Sequence, residues 1–496
     1  MTATITKQIK KDFENNLSGV NINRDVLTTI DNYCKEPAKD ILALSGLRRT
    51  GKTVLMMRQA LSLIDAGKKV TYLLAARDSR QAELFALVNE AMENGCEFLF
   101  IDEITFIEGF ADWADWVYNN TILKGCHCVI AGTDSYGLEL AARDTLFDRI
   151  RRIRTTYMSY DEFARVRGGD IISYVQKGGI FRDVDIKRYI NTSVVDNIAD
   201  SIDRYENANR RGLDVLSSDE IRTAVIKIIS RISFELTIGL LRRQYKYSDL
   251  SLSVKNLSGS VTDFVLENEQ DIIDRVESEF GLNEDLSRFK DKELENILRL
   301  LTADLVELDV IAQYKHTDLR LRNPQNESYL LTQPAGRFQL TELYLQAISH
   351  LGGETAQLLC EAVSADIEGQ LIEAVVLNET EQKLKNIAGL QSKRKYDVFK
   401  FNADGTEFDM VVYDKDIGDL FLYEIKRKDA EEAAQRKNFF DESLSTILNY
   451  IKKTYHSPPL KVPQKYILYR GDAQLVNGIS YVNVEKYLHN LEKHGL

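Results

Sequence analysis

The chain has 496 residues, 44% of them hydrophobic and 28% charged, with only 6 prolines; that is too long for one hydrophobic core and too apolar for a disordered chain. Its formal net charge of −12 gives no long-range pull toward a phosphate backbone, so any DNA contact needs a local basic patch. No stretch approaches about 18 uninterrupted apolar residues, the first residues lack an apolar leader, and the five cysteines (Cys34, Cys96, Cys126, Cys128, Cys360) are too scattered for a disulfide framework, so a cytoplasmic chain with no membrane segment is expected.

Residues 1–22 read as an N-terminal extension. The apolar run 41–45 (ILALS) predicts a strand that breaks at a glycine-containing loop. A helix from Thr53 to about Ala66 follows, then a strand at Val70–Leu74, a helix at Gln81–Asn94, and strands at Glu97–Ile101 and Cys128–Ala131. Alternating strands and helices predict an α/β unit over 23–165, a parallel sheet with helices on both faces. The strand between the glycine loop and the acidic strand end suits the P-loop subclass with one inserted strand. Cys126 and Cys128 have no second Cys/His pair at zinc-like spacing, so both read as buried thiols. Two basic clusters, Arg149–Arg154 and Arg242–Lys246, read as solvated or nucleotide-facing charge runs.

Residues 166–340 turn mostly helical, with long apolar periodic segments over 217–244. The run 291–314 predicts a helix, a shorter helix or turn, and a strand, the outline of a winged helix, used either for DNA or for packing. The last part, 341–496, predicts a separate small α/β domain. It comprises a helix near Ile367–Thr380, strands Phe408–Tyr413 and Leu420–Ile425, a charged helix over 429–454, the strand Lys465–Tyr469 and a final helix.

Gly46-Leu47-Arg48-Arg49-Thr50-Gly51-Lys52-Thr53 fits G-x-x-x-x-G-K-[ST] between a predicted strand and a predicted helix, the context this motif requires. The glycines let the backbone curl so that successive N–H groups point at one phosphate, and the helix N-terminus adds its dipole. Gly46, Arg48, Arg49, Thr50, Gly51, Lys52, Thr53 and Val54 are therefore the expected contacts to ATP. Lys52 is expected on the β- and γ-phosphates, with its ammonium in solvent when no nucleotide is bound. The Thr53 hydroxyl is expected on magnesium. Phe98–Glu103 (FLFIDE) is an apolar strand ending in two carboxylates: Asp102 to hold magnesium and Glu103 to orient and polarise the attacking water. The next strand ends in Ala131–Ser135 (AGTDS), where Thr133 or Ser135 is expected to sense the γ-phosphate. Arg149 is the expected arginine finger, in its own or a neighbouring subunit, with Arg143, Arg151 and Arg152 as competitors.

Taken together, these segments resemble the bacterial and archaeal ATPases that join an AAA domain to a C-terminal domain of restriction-endonuclease-like fold. The likeness covers the double arginine Arg48-Arg49, Leu99–Ile104 (LFIDEI), the AGTDS turn and the Arg149 position. It continues through Tyr157–Phe163 (YMSYDEF), the double-glycine segment Tyr174–Phe181 (YVQKGGIF) and Tyr329–Thr332. The chain departs from the family at Tyr157-Met158-Ser159, where a proline commonly precedes the serine. The resemblance implies an ATPase with ATP and magnesium as cofactors, and DNA and further copies of the chain as candidate partners.

Glu407-Phe408-Asp409 and Glu424-Ile425-Lys426 lie on two adjacent predicted strands joined by a hairpin turn. Glu424 and Lys426 are two apart and so point to one strand face, where Asp409 can meet them. Two carboxylates suit a hard cation, and a lysine beside them suits activation of a water for phosphodiester cleavage. The set resembles the D…E-x-K signature of the nuclease superfamily, with Glu373 matching its helical acidic position and Gln435 its polar position. Such a pattern recurs by chance on exposed strands. An ATPase driving a conformational change in DNA handling or defence, an ATP-gated nuclease and a nucleotide-set scaffold all stay open, and the C-terminal domain reads equally as a docking module.

Overall fold

Five apolar or small residues in a row, all buried, form the strand Ile41–Ser45. A run without alternation suits a central parallel strand covered on both faces. The computed structural model describes residues 5–20, 24–133, 137–138, 141–142, 145–179, 185–204, 213, 216–243, 261–282, 286–319, 325–364, 367–388, 395–403, 406–426, 438–456 and 458–491. In it the strands β1 (Thr6–Gln8), β2 (Ile41–Ser45), β3 (Val70–Leu74), β4 (Phe98–Asp102), β5 (His127–Gly132) and β6 (Ile150–Arg154) form one sheet in the order β1-β3-β4-β5-β2-β6. All neighbours are parallel except β1, which runs antiparallel to β3. Helices Asp25–Lys35 and Lys52–Asp65 pack Ile30, Leu55 and Met56 on one face. Helices Gln81–Glu93 and Phe110–Asn120 pack Leu84, Val88, Phe110 and Ala114 on the other. Because every crossover returns in parallel, the carboxyl ends of β2, β4 and β5 open on the same edge.

All of the cluster Arg149–Arg154 after Arg149 is a strand rather than a free charge run. β6 pairs with β2 from Ile41↔Ile150 to Ser45↔Arg154. Two of its arginines are spent internally: Arg151 pairs with Glu36 and Asp40 at 3.1 and 3.2 Å, and Arg154 pairs with Glu307. β-branched Ile150 and Ile153 between them keep the segment extended. The second basic cluster lies largely outside the described residues.

The middle region holds the helix Ser218–Arg243 and the helix Asp291–Glu307. A tight turn with Asp309 at φ 58° leads to β7 (Ile311–Asp318), which folds back on β8 (Gln325–Leu331). This hairpin does not stand apart as a wing. β7 pairs in parallel with β9 (Tyr396–Ala403), which continues through β10 (Thr406–Asp414), β11 (Leu420–Ile425), β12 (Gln464–Tyr469), β14 (Ile479–Asn483) and β13 (Gln474–Val476). The expected boundary between 340 and 341 therefore divides one eight-stranded sheet. A single core runs across it too, from Tyr174 and Leu241 through Leu345 to Met410, Tyr423 and Leu488. Among the described residues no helix is long and apolar enough to cross a membrane, and all five cysteines are buried free thiols.

Candidate functional site

The glycine loop follows β2 directly. Gly46 has φ +139°, and a Cβ there would meet the Thr155 carbonyl oxygen at 2.2 Å. Only glycine fits so close an approach. Gly51, at φ 91°, turns the chain into the helix Lys52–Asp65, so the first N–H groups of that helix face the loop. Thr50 is buried and its hydroxyl bonds both the Leu47 carbonyl and the Thr155 hydroxyl at 2.8 Å. Thr53 and Val54 are half-buried on the first helical turn, Arg48 is half-buried and Arg49 is exposed at φ 71°.

The Lys52 ammonium is not in solvent as expected. The side chain is 5% exposed, and Nζ donates to the Gly46 carbonyl at 2.6 Å and the Leu47 carbonyl at 2.9 Å. The reason is geometric: the loop folds round the start of its own helix, and its carbonyls are the nearest acceptors for a buried cation. Burial pushes the Lys52 pKa down, and Glu103 and Asp102 oppose that.

Asp102 ends β4 completely buried. Its Oδ2 accepts the Tyr72 hydroxyl at 2.9 Å and its Oδ1 accepts the Glu103 N–H at 3.0 Å. Burial, then the Glu103 charge, pushes its pKa up to about 6, while hydrogen bonds from Thr53 and Tyr72 pull the other way. Glu103 itself adopts the left-handed region at φ 55°, ψ 35°. Strain of that kind costs about 1–3 kcal/mol and persists where the surroundings fix it. Its fixing partner is Thr133, whose hydroxyl lies 2.7 Å from both carboxylate oxygens and whose N–H donates at 3.2 Å. Lys52, Thr53, Asp102, Glu103 and Thr133 thus come together at the carboxyl ends of β2, β4 and β5. Asp134, Ser135 and Arg143 lie outside the described residues.

Arg149 stands elsewhere. It precedes β6, its carbonyl accepts the Ile41 N–H at 2.8 Å, and its guanidinium stacks 5.2 Å from the centre of the Tyr118 ring. That is the amino end of the sheet, separated from the loop by the length of β2, roughly 15 Å at about 3.3 Å per residue. Arg151 and Arg152 belong to the same edge strand.

Three residues that were not expected at the site complete it. Arg24 is 3% exposed and donates to the Thr50 carbonyl at 2.7 Å and to both carboxylate oxygens of Glu162 at 3.0 and 2.8 Å. Glu162 also caps the helix Tyr160–Arg167 together with Ser159. Asn197, from the middle region, donates to the Thr133 carbonyl at 2.8 Å. Only Glu162 had a sequence signal, the Ser159-x-x-Glu162 capping box.

In the C-terminal sheet Met410 pairs with Tyr423, which brings Asp409 beside Glu424. The strand β10 is irregular between Phe408 and Val411, and Asp409 sits in that bulge with Oδ2 accepting the Ile425 N–H at 2.7 Å. Bulges re-aim side chains in this way. Glu424 and Lys426 are each 5% exposed, and Glu424 accepts the Asn438 amide at 2.9 Å. Burial first, then the Asp409 charge, raises the Glu424 pKa well above the carboxylate range, with Glu407 and Glu373 adding to it. Glu373 is buried with the Lys400 ammonium 4.0 Å away. Among the described residues no group of three or more His, Cys, Asp or Glu side chains stands ready to hold a metal ion. Gln435 lies outside the described residues.

No curated protein sequence matches the chain. Among solved structures, the Aeropyrum pernix Orc1 protein in complex with DNA is 13% identical over 69% of this chain and 98% of its own, with a TM-score of 0.26. The Saccharomyces cerevisiae Hsp104–ADP complex is 14% identical over 75% of this chain and 58% of its own, with a TM-score of 0.28. AMPPCP-bound DnaA from Aquifex aeolicus is 13% identical over 60% of this chain and 97% of its own, with a TM-score of 0.24. Residues 38–164, which contain the loop, Asp102, Glu103, Thr133 and Arg149, match the family model described as an AAA domain.

Proposed function

We propose that the chain binds ATP with magnesium at Gly46–Thr53 and hydrolyses it to drive a conformational change of its helical and C-terminal regions, in DNA handling or defence. The observation that carries this reading is the meeting of Lys52, Thr53, Asp102 and a Thr133-held Glu103 at one edge of the sheet. The residues fit the ligands: the cradle at Gly46 admits no Cβ, and the Thr53 hydroxyl and Asp102 carboxylate offer the oxygen donors that a hard cation takes. Magnesium bound there neutralises charge on the phosphates. Lys52 exchanges two loop carbonyls for phosphate oxygens, a stronger, charge-assisted bond. The loop N–H groups orient the phosphates, and Glu103, kept in place by Thr133, orients the attacking water and takes up its developing charge. Any contact of Arg149 with a nucleotide is with that of a second copy of the chain, because its own loop lies a strand length away.

The test is Glu103→Gln, which keeps shape and loses charge. Phosphate release should fall by about 10²–10⁴-fold, while binding of a fluorescent ATP analogue stays within about two-fold of the unmutated chain. Turnover that survives the substitution removes Glu103 from the mechanism.

A second reading, an ATP-gated nuclease, is favoured by one observation: Asp409 beside a buried Glu424, with Lys426 two residues on. The two carboxylates would hold a divalent cation, and Lys426 would orient water. Asp409→Ala should then abolish magnesium- or manganese-dependent cleavage of plasmid or single-stranded DNA and leave ATP turnover nearly intact. Absence of cleavage by the unmutated chain, with and without ATP, leaves a binding module instead.

A further inference from the structure

Thr133 is gripped from two sides. Its hydroxyl and N–H hold the Glu103 carboxylate, and its carbonyl is held by the amide of Asn197 at 2.8 Å. Asn197 is 3% exposed, so this bond has little competition from water, and breaking it leaves a buried carbonyl short of a donor. The strand end has no slack on its other flank: a Cβ on Gly132 would meet the Thr105 side chain at 2.5 Å. Holding the Thr133 carbonyl therefore anchors the backbone from which the Thr133 hydroxyl reaches Glu103.

Asn197 does not belong to the nucleotide-binding sheet. It is the second residue of the helix Asp196–Arg204, which continues directly from the π-helical turn Ile190–Val195. Wide turns of this type recur at functional sites, because one extra residue per turn rotates the side chains of the next helical turn to a new bearing. Its neighbour Asp196 places a carboxylate 4.0 Å from the Arg48 guanidinium, in the glycine loop. Two successive residues of one helix thus touch the phosphate loop and the end of β5.

We propose that Asn197 is a positioning residue for hydrolysis: through the Thr133 carbonyl it sets the Glu103 carboxylate, so that the seating of the helical region on the β5 end governs turnover and not nucleotide affinity. The inference rests on the ATPase reading. A ligand that shifts the helix Asp196–Arg204 would change the catalytic rate with no contact to ATP, and nucleotide binding at Arg48 would in turn bias that helix.

The experiment compares the full chain with Asn197→Ala and Asn197→Asp, measuring kcat, KM for ATP and the Kd of a non-hydrolysable ATP analogue between pH 6 and 8. Asn197→Ala should lower kcat about three- to ten-fold, the worth of one buried hydrogen bond, with KM and Kd within about two-fold. Asn197→Asp should resemble it at pH 8, where an ionised carboxylate cannot donate. As pH falls the buried carboxyl protonates and regains a donor, so its kcat relative to the unmutated chain should climb, while the Asn197→Ala ratio stays flat. A merely structural contact predicts a different pattern: kcat and affinity falling together. That pattern, or an Asn197→Ala chain with unchanged kcat, overturns the proposal while ATP turnover by the unmutated chain keeps the ATPase reading. An unmutated chain that turns over no ATP overturns both.

Discussion

Lys52 carries its charge into a place where burial disfavours it. The two carbonyls it bonds, those of Gly46 and Leu47, are also the ones that keep the loop curled. Removing the ammonium therefore has two opposed effects on the folded chain, a lost clamp and a relieved desolvation cost. Lys52→Ala should leave the thermal midpoint within a few degrees of the unmutated chain. Its effect on ATP should be far larger, a loss of affinity of about 100-fold, because charge-assisted bonds to phosphate have no substitute there. Titration with a fluorescent ATP analogue and a melting curve on the same sample separate the two; unchanged affinity would remove Lys52 from the site. At this scale the sequence was most informative. The G-x-x-x-x-G-K-[ST] spacing singles out Gly46, Lys52 and Thr53 without the fold. The buried state of the Lys52 ammonium was not, since it depends on where the loop's own carbonyls turn.

Elements are held to one another by groups whose partners no local pattern marks. Arg24 and Glu162 form a fully buried ion pair from residues 138 positions apart, and Arg24 extends it to the carbonyls of Thr50, Thr156 and Tyr157. The glycine loop, the segment after β6 and the helix Tyr160–Arg167 thus share one guanidinium. Breaking such a pair by removing one partner is costly, because it strands the other charge in a low-dielectric site. Arg24→Met alone should lower stability by about 3–5 kcal/mol. Arg24→Met with Glu162→Gln should recover a good part of that loss, and a double-mutant cycle in urea measures the coupling. Additive losses would mean that the two side chains do not depend on each other. The capping box made Glu162 readable as a helix start, but nothing local marks its distant partner. The same limit explains β6. Its arginines read as a charge run until Glu36, Asp40 and Glu307 are seen to neutralise Arg151 and Arg154, and those partners come from other elements.

Across the whole molecule the parts meet at a buried polar junction. Glu379, on the C-terminal helix Ile367–Ala388, accepts the Tyr174 hydroxyl at 2.5 Å and the Tyr160 N–H at 3.1 Å, both from the segment that follows β6. Its charge also acts on Tyr157 and Arg337, and Arg337 belongs to the helix Pro334–Leu351 that follows the β7–β8 hairpin. The shared sheet and this junction were not legible in the sequence, because both join segments far apart in the chain, 205 positions in the case of Tyr174 and Glu379. Burial raises the Glu379 pKa from its ordinary 4.5 to about 7, Glu162 adds to the rise, and Tyr174, Lys383 and Tyr160 oppose it. Between 4.5 and about 7 the folded chain keeps a proton that the unfolded chain has released, so stability falls as pH rises through that window. Glu379→Gln cannot titrate and mimics the protonated carboxyl. Its stability should match the unmutated chain near pH 5 and exceed it increasingly toward pH 8, by at most on the order of 3 kcal/mol. Urea unfolding at several pH values measures the difference directly. A difference that stays constant from pH 5 to 8 would show Glu379 ionised throughout, with Tyr174, Tyr160 and Lys383 outweighing the cost of its burial.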